Sequence, residues 1–213
     1  ACELTRDRHA DTLGMEAAQS LDATIMLNHA SRMWCDPERY PDDREEMNRA
    51  GMGAIPIRDI DGHPLYQPGQ SPGMRERGRR FRFLYTPWHR LLDAQCGLML
   101  DTFGQCTLLD IHTYPKTPHP YEPHSDEPRP QAIIGHNGDP AGRALASRLA
   151  SLLLGRGLTI GINTAYKGSM TPDTIRDTRL ASIMVETRWD TAADPDARRM
   201  ITDAIRRLME ARI

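Results

Sequence analysis

Five short runs rich in Ile, Leu, Val and Thr punctuate the chain: LDATIMLN at 21–28, CTLLDIH at 106–112, QAIIGH at 131–136, LTIGIN at 158–163 and ASIMVET at 181–187. Runs of this length and composition suit strands covered on both faces. Helical patterns separate several of them. AGRALASRLASLLLGRG (141–157) sets Leu145, Leu149 and Leu152 on one stripe and ends at glycine. DPDARRMITDAIRRLMEAR (194–212) opens with an Asp-Pro start and turns Ile201, Ile205 and Leu208 inward. Residues 74–103 also read as largely helical, with an interruption near Pro87. The alternation predicts an α/β fold: a three-layer α/β/α domain around a mixed, mostly parallel central sheet.

Residues 36–73 break this rhythm. They are rich in Pro, Gly and Asp with little periodicity, and a loop that long inside a compact domain is usually functional or disordered. With no internal repeat and no linker, the 213 residues read as a single domain, ample to bury a core.

Composition narrows the function. A formal net charge of -2 argues against a nucleic-acid partner or an anionic membrane surface. No apolar run approaches the roughly 20 residues of a membrane span, and the polar opening ACELTRDRH is not a signal peptide. Cys2, Cys35, Cys96 and Cys106 form no C-x-x-C pair, so a thiolate zinc site is not expected. Few scattered cysteines in a chain of this size read as a reduced, cytoplasmic protein.

Four strings carry chemistry. In LLDIHTYP a strand would end on Asp110 and His112, which share a face because strand side chains alternate. Ligands of open α/β sheets gather beyond strand carboxyl ends. There His112 can offer a nitrogen to a metal with Asp110 in support; the alternative is a capped strand end with a solvated histidine. His119 and His124 follow in a proline-broken segment and read as loop residues. In SIMVETRWD, Glu186 ends an apolar run, where burial suits it to general-base work; the alternative is an ion pair with Arg188. INTAYKGSM gathers Asn163, Tyr166 and Lys167 before a turn at Gly168, donors suited to an anionic substrate. SRMWCDPERYPDD sets Arg32, Arg39 and Arg44 among acids, either for carboxylate recognition or as a solvated charge network.

Taken in order, these pieces resemble the N-formylglutamate amidohydrolase family. SRMWCDPER is similar to its Ser-Arg segment followed by Asp-x-Asn/Glu-Arg, and GMGAIPIRDIDGHPLYQ to its glycine-rich stretch leading to Pro-Leu-Tyr. LLDIHTYP resembles its D-x-H-S motif, INTAYKG its Asn-x-Pro-Tyr-Lys-Gly loop and IMVETR its late glutamate strand. The resemblance implies a phosphorylase/hydrolase-like α/β/α fold related to zinc carboxypeptidases and aspartoacylases. It implies one zinc on a His–acid–His set, and hydrolysis of an N-acyl amino acid such as N-formyl-L-glutamate. His112 would be the second histidine ligand, and Glu186 the carboxylate that takes a proton from water and passes it to the leaving amine. Arg32 and Arg39, with Asp36 in the same motif, would bind substrate carboxylates or polarise the scissile carbonyl. Asn163, Tyr166 and Lys167 would line the pocket, with Arg179 or Arg188 assisting.

One departure stands out. The family pattern opens with a strand ending in Pro-His-x-Gly, expected to carry the first zinc ligand, and ACELTRDRHADTLG resembles the part that follows it. Asp7 is the candidate acidic ligand, Glu3 its alternative, and His9 a possible stand-in for the missing histidine. Asp7 and Asp11, four apart, would otherwise share a helix face as charges favourable to the dipole. Two expectations follow: an upstream segment that restores the motif, or a relative that binds carboxylates without zinc. DPER in place of Asp-x-Asn-Arg also allows a deacylase or peptidase of different specificity.

Overall fold

The computed structural model describes residues 6–119, 122 and 125–211. Its elements run α1 (Ala10–Leu21), a 3-10 turn (Glu46–Ala50), α2 (Met74–Arg80), a π-helical turn (Phe81–Tyr85) and α3 (Thr86–Phe103). Then come β1 (Cys106–Tyr114), β2 (Ala132–Gly135), α4 (Pro140–Leu154), β3 (Ile160–Ile162), β4 (Leu180–Arg188), α5 (Trp189–Ala193) and α6 (Pro195–Glu210). The strands form one sheet in the order β1-β4-β2-β3. β1 runs parallel to β4 and β2 parallel to β3, while β2 and β4 are antiparallel. The expected mixed, mostly parallel α/β fold is the one observed.

The sheet is dressed differently on its two faces. Leu13 and Ala17 of α1, Leu145, Leu149 and Leu153 of α4, and Ile201, Ile205 and Leu208 of α6 close over Ile134, Ala181, Ile183 and Val185. Leu152, placed on the stripe by sequence, is only partly buried there, and Leu153 takes the central position. The other face carries a smaller cluster, where Leu92, Cys96 and Leu100 of α3 meet Cys106 and Leu108.

One sequence expectation fails, and two are sharpened. LDATIMLN forms no strand: Leu21 ends α1, Asp22 caps it in the left-handed conformation, and residues 23–29 carry no regular structure. Met26 alone of this stretch reaches the α3 cluster, while Ile25 is exposed. The irregularity expected near Pro87 is the π turn at 81–85, immediately upstream of it. Helical backbone runs on through Tyr85 and Thr86 into α3, so the proline removes a backbone donor inside a continuous helix, and the ladder is irregular beside it. Residues 36–73 are folded around Met47, Met52 and Ile60, which meet Met33, and most of the segment carries no helix or strand.

β1 is an edge strand among the described residues. A cavity of about 940 Å³ runs beside it, walled by α1, residues 23–31 and α3, and closing on Asp7, Arg32, Glu38, Asp110 and His112. Cys35, Cys96 and Cys106 are buried and form no disulfide among the described residues, and Cys2 lies outside them. Among the described residues no helix is long and apolar enough to cross a membrane.

Candidate active site

The parallel register of β1 and β4 sets His112 opposite Glu186 at the carboxyl ends of both strands. Alternation then puts Asp110, His112 and Glu186 on the face away from α1, α4 and α6. The 36–73 segment reaches the same point. Asp36, buried, accepts the Glu38 amide at 3.1 Å and so fixes the turn that carries Glu38 inward. One donor atom each of Glu38, Asp110 and His112 fall within 4.8 Å of one another, a grouping able to hold a metal ion.

Asp7 completes this cluster from the stretch before α1. His112 Nδ1 lies 2.7 Å from Asp7 Oδ2, and His112 Nε2 lies 2.9 Å from Asp110 Oδ1 and 3.6 Å from Glu38 Oε2. Asp7 therefore precedes the helix and does not share a helix face with Asp11, which instead bonds Arg6 and the Thr12 amide. His9 is exposed, and Glu3 and His124 lie outside the described residues.

The electrostatics follow from crowding acids together under cover. Burial works against charge on His112, but Asp110, Asp7 and Glu38 outweigh it and hold the imidazole well above its usual range. Burial likewise opposes charge on Asp7, and Arg32 and His112 more than offset it, so that carboxyl sits low. Two acids go the other way. Burial, then the Asp110 charge, push Glu38 up to about 7. Burial pushes Glu186 up to about 8, with Asp7 and Asp110 adding to it and His112 and Arg32 partly opposing. This excess of buried negative charge, answered by protons on Glu38 and Glu186, is what a divalent cation would neutralise. The donor set of carboxylates and one imidazole suits such an ion.

Glu186 itself is buried and, among the described residues, makes no hydrogen bond or ion pair. Arg188 does not pair with it. That guanidinium holds Asp190 at 2.7 Å and the Arg129 carbonyl at 2.8 Å. The arginines of the SRMWCDPER string are also engaged. Arg32 grips Asp7 at 2.9 Å and Asp36 at 2.8 Å, and Arg39 holds Glu45 at 3.2 Å.

The loop after β3 behaves less simply than its string of donors suggested. Asn163 takes a positive φ of 48°, and its amide is spent on the backbone of His136 and on Gly168. It is a clamp on the loop. The loop then folds back over the sheet so closely that a Cβ on Gly135 would stand 2.1 Å from the Gly168 carbonyl oxygen. This brings the Met170 amide to Asp110 at 2.8 Å and lays Tyr166 on Tyr114, ring centroids 5.2 Å apart. Lys167 points away, half exposed, toward Glu127. Arg179 is not brought to the site at all. It sits at the amino end of β4, paired with Asp177 at 2.6 Å.

The structure thus assembles His112, Asp110, Asp7, Glu186, Arg32 and Asp36, with Tyr166 beside them, and adds Glu38. Glu38 had a signal in the DPER string, read only as a shift in specificity. Arg129 had none, because which end of the sheet it reaches depends on β2 running against β4.

Residues 2–193 match the family described as FGase, N-formylglutamate amidohydrolase. An N-formylglutamate deformylase of Pseudomonas aeruginosa is 31% identical over 154 residues, 71% of this chain and 56% of that protein. One of Pseudomonas putida is 28% identical over the same shares. The chain spans about half the length of these curated relatives. A crystal structure of N-formylglutamate amidohydrolase from Ralstonia eutropha JMP134 superposes with a TM-score of 0.81 at 22% identity, covering 97% of this chain and 83% of that one. A gene product of Agrobacterium tumefaciens gives 0.74 at 20% identity, with 96% and 76% covered. The extent of the family match decides the assignment: the chain belongs to the N-formylglutamate amidohydrolase family.

Proposed function

We propose that this chain carries the active site of a zinc-dependent amidohydrolase that cleaves an N-acyl amino acid, with N-formyl-L-glutamate the first candidate substrate. The observation that carries the reading is Glu186: buried, unpaired among the described residues and opposite His112 in register. The names of the curated relatives support the substrate, and the motifs of the sequence support zinc and kinship with zinc carboxypeptidases and aspartoacylases.

His112, Glu38 and Asp110, with Asp7, would hold the ion, which when bound supplies Lewis acidity toward the amide carbonyl. Burial raises the Glu186 carboxyl to about 8, and a cation held there would lower it toward the range in which a group can take and return a proton. Glu186 removes the proton of the attacking water and delivers it to the departing amine. Arg32, held by Asp7 and Asp36, places a fixed cation at the edge of the cluster, where negative charge develops on the acyl oxygen. Tyr166 bounds the site from the other side.

The test is metal analysis of the full-length protein together with an assay for formate released from N-formyl-L-glutamate. Stoichiometric zinc and chelator-sensitive formate release are expected. Absence of both sinks the proposal. One feature favours a second reading, a relative that binds carboxylates without catalysis: His112 is the single imidazole of the cluster among the described residues. Acid ligands binding equally well with and without chelator, and no turnover, would establish it.

A further inference from the structure

Arg129 stands just ahead of β2, and because β2 runs against β4, that end of the strand lies beside Glu186; Ile133 is the register partner of Glu186. The Arg129 side chain is 6% exposed. Its guanidinium carbon lies 5.6 Å from the Tyr114 ring centre and 5.4 Å from that of Tyr166. Nη1 donates to the Pro115 carbonyl at 3.2 Å and to the Tyr166 hydroxyl at 3.1 Å.

Among the described residues, the carboxylate paired with it belongs to Glu122. Glu122 Oε2 accepts from Arg129 Nη2 and from the Tyr166 hydroxyl, the latter at 3.0 Å, while Oε1 accepts the His119 amide at 2.9 Å. This is an incomplete match for a guanidinium. The planar fork offers Nε and an Nη nitrogen together to a carboxylate. Here Nε, though buried, has no partner among the described residues. Glu122 reaches one prong and leaves the other bare.

Arg32 and Arg39 differ. They share Asp36, which also orders the Glu38 amide, and Arg39 holds Glu45, whose oxygens accept the Tyr40 and Met47 amides. Removing either acid would unravel backbone turns, so these cations are committed to the fold. Among the described residues, Glu122 accepts one amide, that of His119, beyond its guanidinium and phenol contacts.

We propose that Arg129 and the Tyr166 hydroxyl form the receptor for a carboxylate of the substrate, and that Glu122 is an internal occupant which the incoming carboxylate displaces. A free carboxylate takes Nε and Nη2 together and keeps the bond from Tyr166. In the sheet, β4 with Glu186 lies between β1, which carries His112, and β2, which Arg129 precedes, so the receptor and the His112 cluster flank the same strand end. The ligand class rests on the amidohydrolase reading; the receptor itself rests on the geometry.

The test is calorimetric titration of the metal-depleted full-length protein with glutarate, which separates binding from turnover. Glu122→Gln is expected to bind glutarate at least about fivefold tighter than wild type, because the competing charge is gone and Arg129 is left without its partner. Arg129→Lys is expected to bind at least about tenfold weaker, since an ammonium lacks the fork. Glutarate binding that is unchanged or weaker in Glu122→Gln, or undiminished in a folded Arg129→Lys, overturns the proposal. Should Arg129→Lys fail to fold, Glu122→Gln alone decides in the same sense. Arg129-dependent glutarate binding in a protein that releases no formate keeps the receptor and removes the catalytic reading. Formate release with a KM indifferent to Glu122→Gln does the reverse.

Discussion

The two faces of β4 differ by one residue of register and serve opposite ends. Ala181, Ile183 and Val185 point into the core under α1, α4 and α6, and are all but inaccessible. Ser182, Met184 and Glu186 point the other way, toward α3 and the long loops. The first face is dry and uniform, and its contribution is stability. The second keeps a buried carboxylate without a partner among the described residues, an arrangement that costs stability and is tolerated where chemistry needs it. Neighbouring residues of one strand should therefore fail in different assays.

The largest effect is expected at Glu186. Glu186→Gln keeps shape and burial but removes the proton acceptor, so formate release should fall about 10²–10⁴-fold. The melting temperature should hold or rise, since an unpaired buried acid is replaced by a neutral amide. A variant that loses stability in step with activity would erase the distinction between the faces.

The mirror experiment is Ile183→Ala, three residues earlier on the dry face. Truncating a fully buried isoleucine should cost about 2–5 kcal/mol of unfolding free energy. Activity per folded molecule, measured well below the new melting point, should stay near wild type. Loss of activity in the folded fraction would show that the core face also tunes the site.

A pH series sharpens the same contrast. In the metal-depleted protein the Glu186 carboxyl is raised from 4.5 to about 8. A group that binds its proton more tightly when folded stabilises the fold below its unfolded pKa, and that contribution is lost as pH rises through the folded value. Unfolding free energy of wild type relative to Glu186→Gln should therefore decline from about pH 4.5 to about pH 8 and level off above. Taking the difference between the two proteins removes Glu38 and His112, which titrate in both. Denaturant melts at four or five pH values are sufficient, and a flat difference would mean that Glu186 is not buried as described.

The same division explains what could be read from the sequence. Four of the five apolar runs became β1 to β4, because period-two alternation and β-branched residues speak directly to strand burial. The shared face of Asp110 and His112 follows from that alternation alone. That Glu186 stays clear of Arg188 does not, since alternation sets the two on one face and only the fold turns Arg188 to Asp190 and the Arg129 carbonyl. LDATIMLN had the composition but lacked a strand partner among the described residues, and pairing is not a local property. Arg179 and Asn163 were misplaced for a related reason. A side chain's type is local, but which end of a strand it occupies, or whether its amide is spent on a turn, is set by the whole fold. Glu38 and Arg129 reach the site through a long loop and an antiparallel strand, and no periodicity records either.

The smallest effect probes how the loop is pressed onto the site face. Gly135 belongs to β2, and a methyl group there would meet the Gly168 carbonyl oxygen at 2.1 Å and the Met184 side chain at 2.7 Å. Backbone cannot yield as a side-chain tip does, so Gly135→Ala must lift the loop that carries Tyr166 and the Met170 amide. The expected cost is about 1–3 kcal/mol, the range for overpacking, and below that of Ile183→Ala. The signature lies in how the loss is distributed. With Tyr166 displaced from Tyr114 and Arg129, KM for N-formyl-L-glutamate should rise more than kcat falls, because the groups moved bind the substrate's far end. Glu186 and His112, held by β1 and β4, stay where they are. An equal fall in kcat would instead tie the loop to the transition state, through the Met170 amide that anchors Asp110 beside His112.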